Sequence, residues 1–338
     1  MPVTIKDIAK ELGLSVSTVS KALNDYPDVA PETKRRVQEL AQILDYYPSA
    51  TARSLRRRHT NKIGLLLFLR VVGSSLTSEY EFELIRGVAF TAEKRGYNLV
   101  LYTTVTREAD QLMRICRARE VDGLILIGAG HLEELIAFLS REAIPFVVLN
   151  RRVEQPDVSF IAPDNVNGAR AAVCHLLELG HRRIGYIGRP DDPETNIDRL
   201  AGYRQALAEF GVPFDERLII PASFESGSGY RAMKALLDLP SPPTAVFAFN
   251  DHLAIEALQA VKERGLQVPA DVALVGFDDI HSSLVTTPPL TTVHQPLLEM
   301  GSQAAQVLLD RIADDSLPPI RLTLPVHLVV RGSTVRRT

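Results

Sequence analysis

Seven short apolar runs alternating with helical stretches restrict this chain more than any other feature. KIGLLLFL, NLVLYTT, GLILIG, PFVVLN, RRIGYIG, TAVFAFN and VALVGFDD are almost continuously apolar from residue 62 onward. A strand that is apolar on both faces must be covered on both, so strands of this kind between helices predict parallel sheets with helices on either side. The pattern restarts near VSFIAPDN, where GARAAVCHLLELG opens a new helix–strand cycle. Two similar doubly wound halves are therefore expected rather than one wide sheet. Beyond Pro289 follow LTTVHQP, a helix around EMGSQAAQVLLDRI and the strand-like LTLPVHLVVRGST. The 338 residues, 46% of them hydrophobic, can bury the cores of two or three domains.

Other classes fall away quickly. No apolar run reaches the roughly 18 residues of a membrane span, so no membrane partner is expected. MPVTIKDIAKELG lacks an apolar signal core, and Cys116 and Cys174 match no CxxC or zinc spacing. A reducing cytoplasm is the expected compartment, with neither metal nor cofactor.

The first 45 residues have no strand-like run. Ile5, Ile8, Ala9 and Leu12 share a helical face, with Thr4 as candidate N-cap and Gly13 as stop. LSVSTVSKALND offers a second helix, packing through Val16, Val19, Ala22 and Leu23. PETKRRVQELAQILDY offers a third, with Pro31 at its first position and Val37, Leu40, Ala41 and Leu44 inward. Residues 46–61 form a linker in which Pro48 breaks the helix and Ser49 can cap a short turn of ATARSLR. Charge is uneven: residues 1–60 carry 10 Lys/Arg against 7 Asp/Glu, whereas the rest carry 28 against 34. The net charge of −3 thus hides a locally basic stretch suited to nucleic acid.

Helix, a short turn containing Gly13, and helix again is the spacing of a helix-turn-helix. The second helix carries Ser15, Ser17, Thr18 and Ser20, whose small hydroxyls allow close approach to phosphates; the alternative is that they are only caps. VTIKDIAKELGLSVSTVSKALND and VAPETKRRVQELAQILDYYPSATARSLRRRHTNKIGLLL together resemble the lactose-repressor (LacI/GalR) family of bacterial transcription regulators. LELGHRRIGYIG, DRLAGYRQAL, FAFNDHLAIEAL, VALVGFDDI and PPLTTVHQP extend that resemblance over essentially the whole chain. It implies a small all-α helix-turn-helix headpiece (1–45), a linker with a hinge helix (46–61) and an α/β periplasmic-binding-protein-like core of two doubly wound parallel-sheet subdomains (62–338). The subdomains are expected at 62–160 with 291–320, and at 161–290 with 321–338. The implied function is an allosteric repressor that binds a palindromic double-stranded operator as a homodimer, in the bacterial cytoplasm at the nucleoid.

By position, the resemblance makes Val16, Ser17 and Lys21 major-groove readers. It makes Thr4, Ser15, Thr18, Ser20, Asn24, Thr33 and Lys34 phosphate contacts, and adds Ala52, Arg53, Leu55 and Arg56 from the hinge. Lys21 stands where many members have Arg, which replaces a bidentate guanine contact by a single point. Ala30 stands where Ser commonly caps the third helix, at a cost of about 1 kcal/mol. Leu55 matches an apolar wedge inserted between base pairs from the minor groove; the alternative is that it packs the linker on the core.

In open α/β sheets ligands sit beyond the carboxyl ends of strands, which selects Asn250, Asp251, Asp278 and Asp279, and the loops after NLVLYTT and RRIGYIG. Carboxylates, amides and one Arg suit a polyhydroxylated ligand, since each hydroxyl donates and accepts. The resemblance adds that Arg199, Asn250, Asp278 and Gln295 match effector positions and Phe224 a ring-stacking aromatic. Asp164 can cap a helix or touch the ligand. Tyr80 and Glu81, in TSEYEFELIRG, depart from the family pattern, and a Glu there favours a neutral sugar over an anion. A nucleobase corepressor is the alternative effector, and the direction of the response stays open.

Two rivals are weaker. An enzyme would need more than GAGHLEE, where Glu133 occupies the third glycine position of a dinucleotide loop. A transport binding protein would need an export signal and no headpiece. His181 reads as a helix–strand corner, not a catalytic base. VRGSTVRRT continues into no leucine heptads, so a dimer rather than a tetramer is expected.

Overall fold

The computed structural model describes residues 3–46, 60–68, 79–104, 118–127 and 132–335. Two compact units divide the chain, Met1–Thr60 and Asn61–Thr338. The first holds α1 (Ile5–Leu12), α2 (Val16–Leu23) and α3 (Pro31–Ile43). Their apolar stripes meet through Ile8, Ala9, Val19, Ala22, Val29, Val37 and Ala41, all buried.

The second unit begins with β1 (Lys62–Phe68), α4 (Glu79–Lys94), β2 (Asn98–Thr104), β3 (Gly123–Ile127), α5 (Glu133–Arg141), β4 (Phe146–Leu149) and β5 (Phe160–Pro163). There follow α6 (Asn165–Glu178), β6 (Ile184–Gly188), α7 (Pro193–Glu209), a 3-10 turn at Glu216–Leu218, β7 (Ile219–Pro221), α8 (Ser228–Leu237) and β8 (Ala245–Ala248). The chain continues with α9 (Asp251–Glu263), β9 (Ala273–Asp278), α10 (His281–Val285), β10 (Thr291–His294), α11 (Leu297–Ala313), β11 (Arg321–Leu324) and β12 (His327–Val329). One six-stranded sheet runs β11-β5-β4-β3-β1-β2 with every pairing parallel. The other runs β12-β10-β9-β8-β6-β7, parallel except for β12, which lies antiparallel on β10 at the edge. Apolar clusters fill both faces of each sheet, as continuous apolar runs require.

The subdomain seams differ from those expected. β10 pairs with β9, so residues 291–294 belong to the second subdomain, not the first. β11 pairs with β5, so residues 321–324 belong to the first, as does the whole of Phe160–Pro163. The chain passes between the sheets after β5, after β10 and after β11, and a proline (Pro163, Pro296, Pro325) stands at each passage. Proline has no N–H to donate to a ladder, which suits the end of a strand. β7 is an edge strand of three residues, too short to show a periodicity.

Candidate functional site

In the headpiece the buried side chains fix which surfaces stay free. Thr4 is the N-cap of α1, and its N–H and hydroxyl donate to the Asp7 carboxylate at 2.8 and 2.7 Å. Gly13, at φ +64°, ends the helix in the left-handed conformation that favours glycine. Ser15 caps α2: its hydroxyl accepts from the Thr18 N–H at 3.0 Å and lies 2.8 Å from the Thr18 hydroxyl. At the other end the Asn24 carboxamide donates to the Ser20 carbonyl at 2.7 Å. Between these caps Val16 and Ser17 are exposed, and Lys21 lies one turn beyond Ser17 on the same side. The Lys21 ammonium is ion-paired with Asp28, and Lys34 donates to the Asp25 carboxylate at 2.7 Å and to its carbonyl at 3.2 Å. Thr33 is half-buried in the first turn of α3, whose N-cap Ala30 makes no side-chain cap bond. The structure therefore groups Val16, Ser17 and Lys21 on one surface, while Thr4, Ser15 and Asn24 act as caps. Ala52, Arg53, Leu55 and Arg56 lie outside the described residues.

In the core, parallel pairing sets His294 opposite Asp278, which brings the next residue, Gln295, beside the end of β9. Gln295 Nε2 donates to Asp278 Oδ1 at 2.7 Å, and Arg199 Nη2 lies 3.8 Å from the same oxygen. All three are buried, at 1%, 4% and 3% exposure for Gln295, Asp278 and Arg199. Such burial demands partners for a charge. Arg199 Nε donates to Asn165 Oδ1 at 2.9 Å, its Nη1 to the Phe249 carbonyl, and its guanidinium lies 3.6 Å from the Phe277 ring centroid. Asp278 and Asp279 take φ values of +121° and +59°. Two successive non-glycine residues in this region store strain, which the surrounding contacts must hold. Asp279 accepts from Arg331 Nη2 at 2.5 Å and contacts His294 Nδ1 at 2.9 Å, which anchors the turn that carries Asp278.

From the first subdomain, Tyr80 and Glu81 open α4. The Tyr80 hydroxyl and the Gln295 carboxamide oxygen, Oε1, are buried with no hydrogen-bond partner among the described residues. Burial, followed by the charge of Asp278, pushes the Tyr80 phenol well above its usual range, and burial also raises Glu81. Burial pushes Asp278 up to about 7 despite Arg199 and Gln295, and Asp251 is raised by burial and by Asp278. Asp251 is a structural carboxyl: it accepts from the Thr292 hydroxyl at 2.5 Å and from the Ile280 N–H at 3.0 Å.

Three expected residues make contacts within the protein. Asp164 is the N-cap of α6, accepting from the Asn167 N–H at 3.1 Å and from its carboxamide at 2.7 Å, which favours the capping alternative. The Asn250 carboxamide oxygen caps α9 through the Leu253 N–H at 3.0 Å. Phe224 is 39% exposed, and the buried Arg189 guanidinium stacks on its ring. Sequence reasoning missed Arg189 and Asn165, and it also missed Asn150, whose buried Oδ1 has no hydrogen-bond partner among the described residues. The strand-end rule that selected Asn250 applies equally to Asn150, which directly follows β4. The halves are tied by Glu79, which accepts from the Ser282 N–H at 2.8 Å, and by Arg151–Glu194 and Arg152–Asp198 ion pairs at 3.0 and 2.8 Å. Arg199, Tyr80 and Gln295 supply donors, while Asp278 and Gln295 Oε1 accept. That mixture suits a ligand whose hydroxyls do both.

Residues 4–49 match the model for bacterial regulatory proteins of the lacI family, and residues 173–334 match that for a periplasmic binding protein-like domain. The chain is 38% identical over 335 residues to the HTH-type transcriptional repressor PurR of Escherichia coli strain SMS-3-5, covering 98% of this chain and 96% of the relative. PurR of Shigella boydii serotype 18 matches equally. Among solved structures, a complex of the transcriptional regulator CelR with cellobiose superposes with TM-score 0.77 at 33% identity, covering 98% of this chain and 99% of that one. The lac repressor dimer bound to operator and the anti-inducer ONPF gives 0.87 at 27% identity, with 99% and 100% covered. A LacI family regulator from Enterococcus faecium with bound ribose gives 0.73 at 29%, with 82% and 100% covered.

Proposed function

The chain belongs to the lacI family of bacterial regulatory proteins, and from that premise we propose a repressor that binds a palindromic operator as a homodimer under the control of a neutral sugar, within the cytoplasm. Its relatives are transcriptional regulators, not enzymes. The observation that carries the sugar reading is the buried Arg199–Asp278–Gln295 cluster together with the Tyr80 hydroxyl and Gln295 Oε1, which have no hydrogen-bond partner among the described residues. Two carboxyls beside donors and acceptors suit uncharged hydroxyls better than a phosphate, because in their ionised form Glu81 and Asp278 repel an anion and in either form they bond to hydroxyls. That two solved relatives hold cellobiose and ribose supports the same class.

Mechanistically, a ligand bridging Tyr80 on one half and Arg199 with Asp278 on the other changes how the halves close. The cross-cleft bonds at Glu79–Ser282, Arg151–Glu194 and Arg152–Asp198 give the closed arrangement its competing stabilisation. Coupling of this kind is reciprocal, so sugar and operator alter each other's affinity by the same factor.

The test is thermal unfolding of the purified chain with cellobiose, ribose or hypoxanthine. A sugar at a hundredfold excess over its Kd should stabilise by about 2.7 kcal/mol. Asp278→Asn should abolish that response and leave sugar-free operator affinity within twofold. Stabilisation by hypoxanthine alone would replace the sugar by a nucleobase.

A further inference from the structure

Each headpiece lysine expected to meet DNA is already engaged by an acid of the turn between α2 and α3. Lys21 pairs with Asp28 and Lys34 with Asp25. The turn is fixed from below by Val29, which is buried in the headpiece core, and its N–H donates to the Tyr26 carbonyl at 3.3 Å. Asp28 is therefore held beside α2 by the fold, not by a wandering side chain. Both partners are open to solvent, at 42% and 52% side-chain exposure, so the pair is accessible to a polyanion. The hydrogen bond from Lys21 also holds the Asp28 carboxyl below its usual range.

We propose that Asp28 is a specificity-determining residue: its carboxylate stands in for the DNA anion on Lys21 and must be displaced before that lysine can touch a duplex. The inference rests on the DNA-binding reading above. Its physical basis is a difference between two kinds of duplex. On arbitrary sequence Lys21 gains one screened phosphate contact, and Asp28 repels that same phosphate, so the exchange returns little. Where a base edge offers acceptors in the major groove, the lysine gains a directed bond away from the backbone and the exchange is favourable. Asp28 thus lowers affinity for arbitrary DNA more than for operator. Discrimination of this kind is achieved by a repulsive element as well as by an attractive one. It also compensates for Lys21 standing where a bidentate Arg would read guanine more selectively.

The experiment uses the full chain with a random-sequence duplex and with duplexes that the full chain itself selects from a random pool, affinity being measured across a salt series. Asp28→Asn should tighten binding to the random duplex about three- to fivefold at low salt, the range an exposed ion pair spans. The dependence of log affinity on log salt should steepen by about 0.9, one extra phosphate contact. An equal gain on the selected duplexes would overturn the specificity role. Asp28→Glu, which keeps the charge, should bind as the parent does. The gain should vanish in the Lys21→Ala background, because the carboxylate then has no lysine to hold. An equal gain with and without Lys21 would overturn the proposal and leave only general charge repulsion, as would no gain at all. Failure of the parent chain to bind any duplex would instead remove the DNA-binding reading itself. Circular dichroism checks that each variant keeps its helices.

Discussion

Asp278 concentrates several demands in one residue: it ends a strand, adopts φ +121°, is almost fully buried and shares an oxygen with Gln295 and Arg199. Its carboxyl is raised from an ordinary 3.8 to about 7 by burial, and Asp251 moves the same way. A raised folded-state value means that the native state keeps a proton which the unfolded chain has released. The associated stability is complete below the ordinary value and is lost as pH rises through about 7. The free chain should therefore melt at progressively lower temperature between about pH 4 and 7, and Asp278→Asn should flatten that slope; an unchanged slope would assign the protons elsewhere. Sugar affinity should rise over the same interval, since hydroxyl donors bind the carboxylate form. Asp278 was legible from its strand-end position, and Gln295 only through the family resemblance. Arg189 and Asn165 were not, because an Arg stacked on Phe224 and an Asn holding Arg199 are defined only by side chains brought from separate elements.

Among the elements, the pairing of α4 with α11 decides how the first subdomain closes. A Cβ on Gly301 would lie 2.2 Å from the Leu84 carbonyl oxygen, and one on Gly87 would lie 2.1 Å from that of Leu298. The two backbones approach so closely that only hydrogen fits at the crossing. Gly301→Ala should destabilise the core by about 1–3 kcal/mol, the cost of overpacking a tight contact, read as a lower Tm with the helical signal retained. No change would mean that the helices separate cheaply. The elements themselves were largely foreseen, since α1 to α3 and most strands follow from apolar spacing. The closeness of this crossing was not, because helix spacing in the sequence does not say which glycine faces which backbone.

For the whole molecule, the testable step is the link between headpiece and core, where Leu55 distinguishes a DNA wedge from a linker anchor. Under the wedge reading, Leu55→Ala lowers operator affinity and DNA bending together and leaves the Tm of the free chain unchanged. Under the packing reading, the free chain loses about 2–5 kcal/mol and bending stays as it was. Light scattering of the same sample should return the mass of a dimer, and a monomeric mass at micromolar concentration would contradict the proposed assembly.

The sequence by itself determined the class of each part. Apolar period and cap residues specified a three-helix headpiece, and continuous apolar runs specified two covered parallel sheets, because both signals act over a few neighbouring residues. It also placed Asp278 at the end of a strand, since that end can be read from where the apolar run stops, while Gln295 entered only through the family resemblance. Tertiary structure alone decided which half each late strand joins. β10 and β11 carry the same kind of short apolar signal, and only their pairing partners, β9 and β5, assign them. It alone made Asp164 the cap of α6 and set Asp28 on Lys21. A sequence gives a polar side chain its repertoire of partners, and the choice among them depends on distances that exist only once the chain has folded.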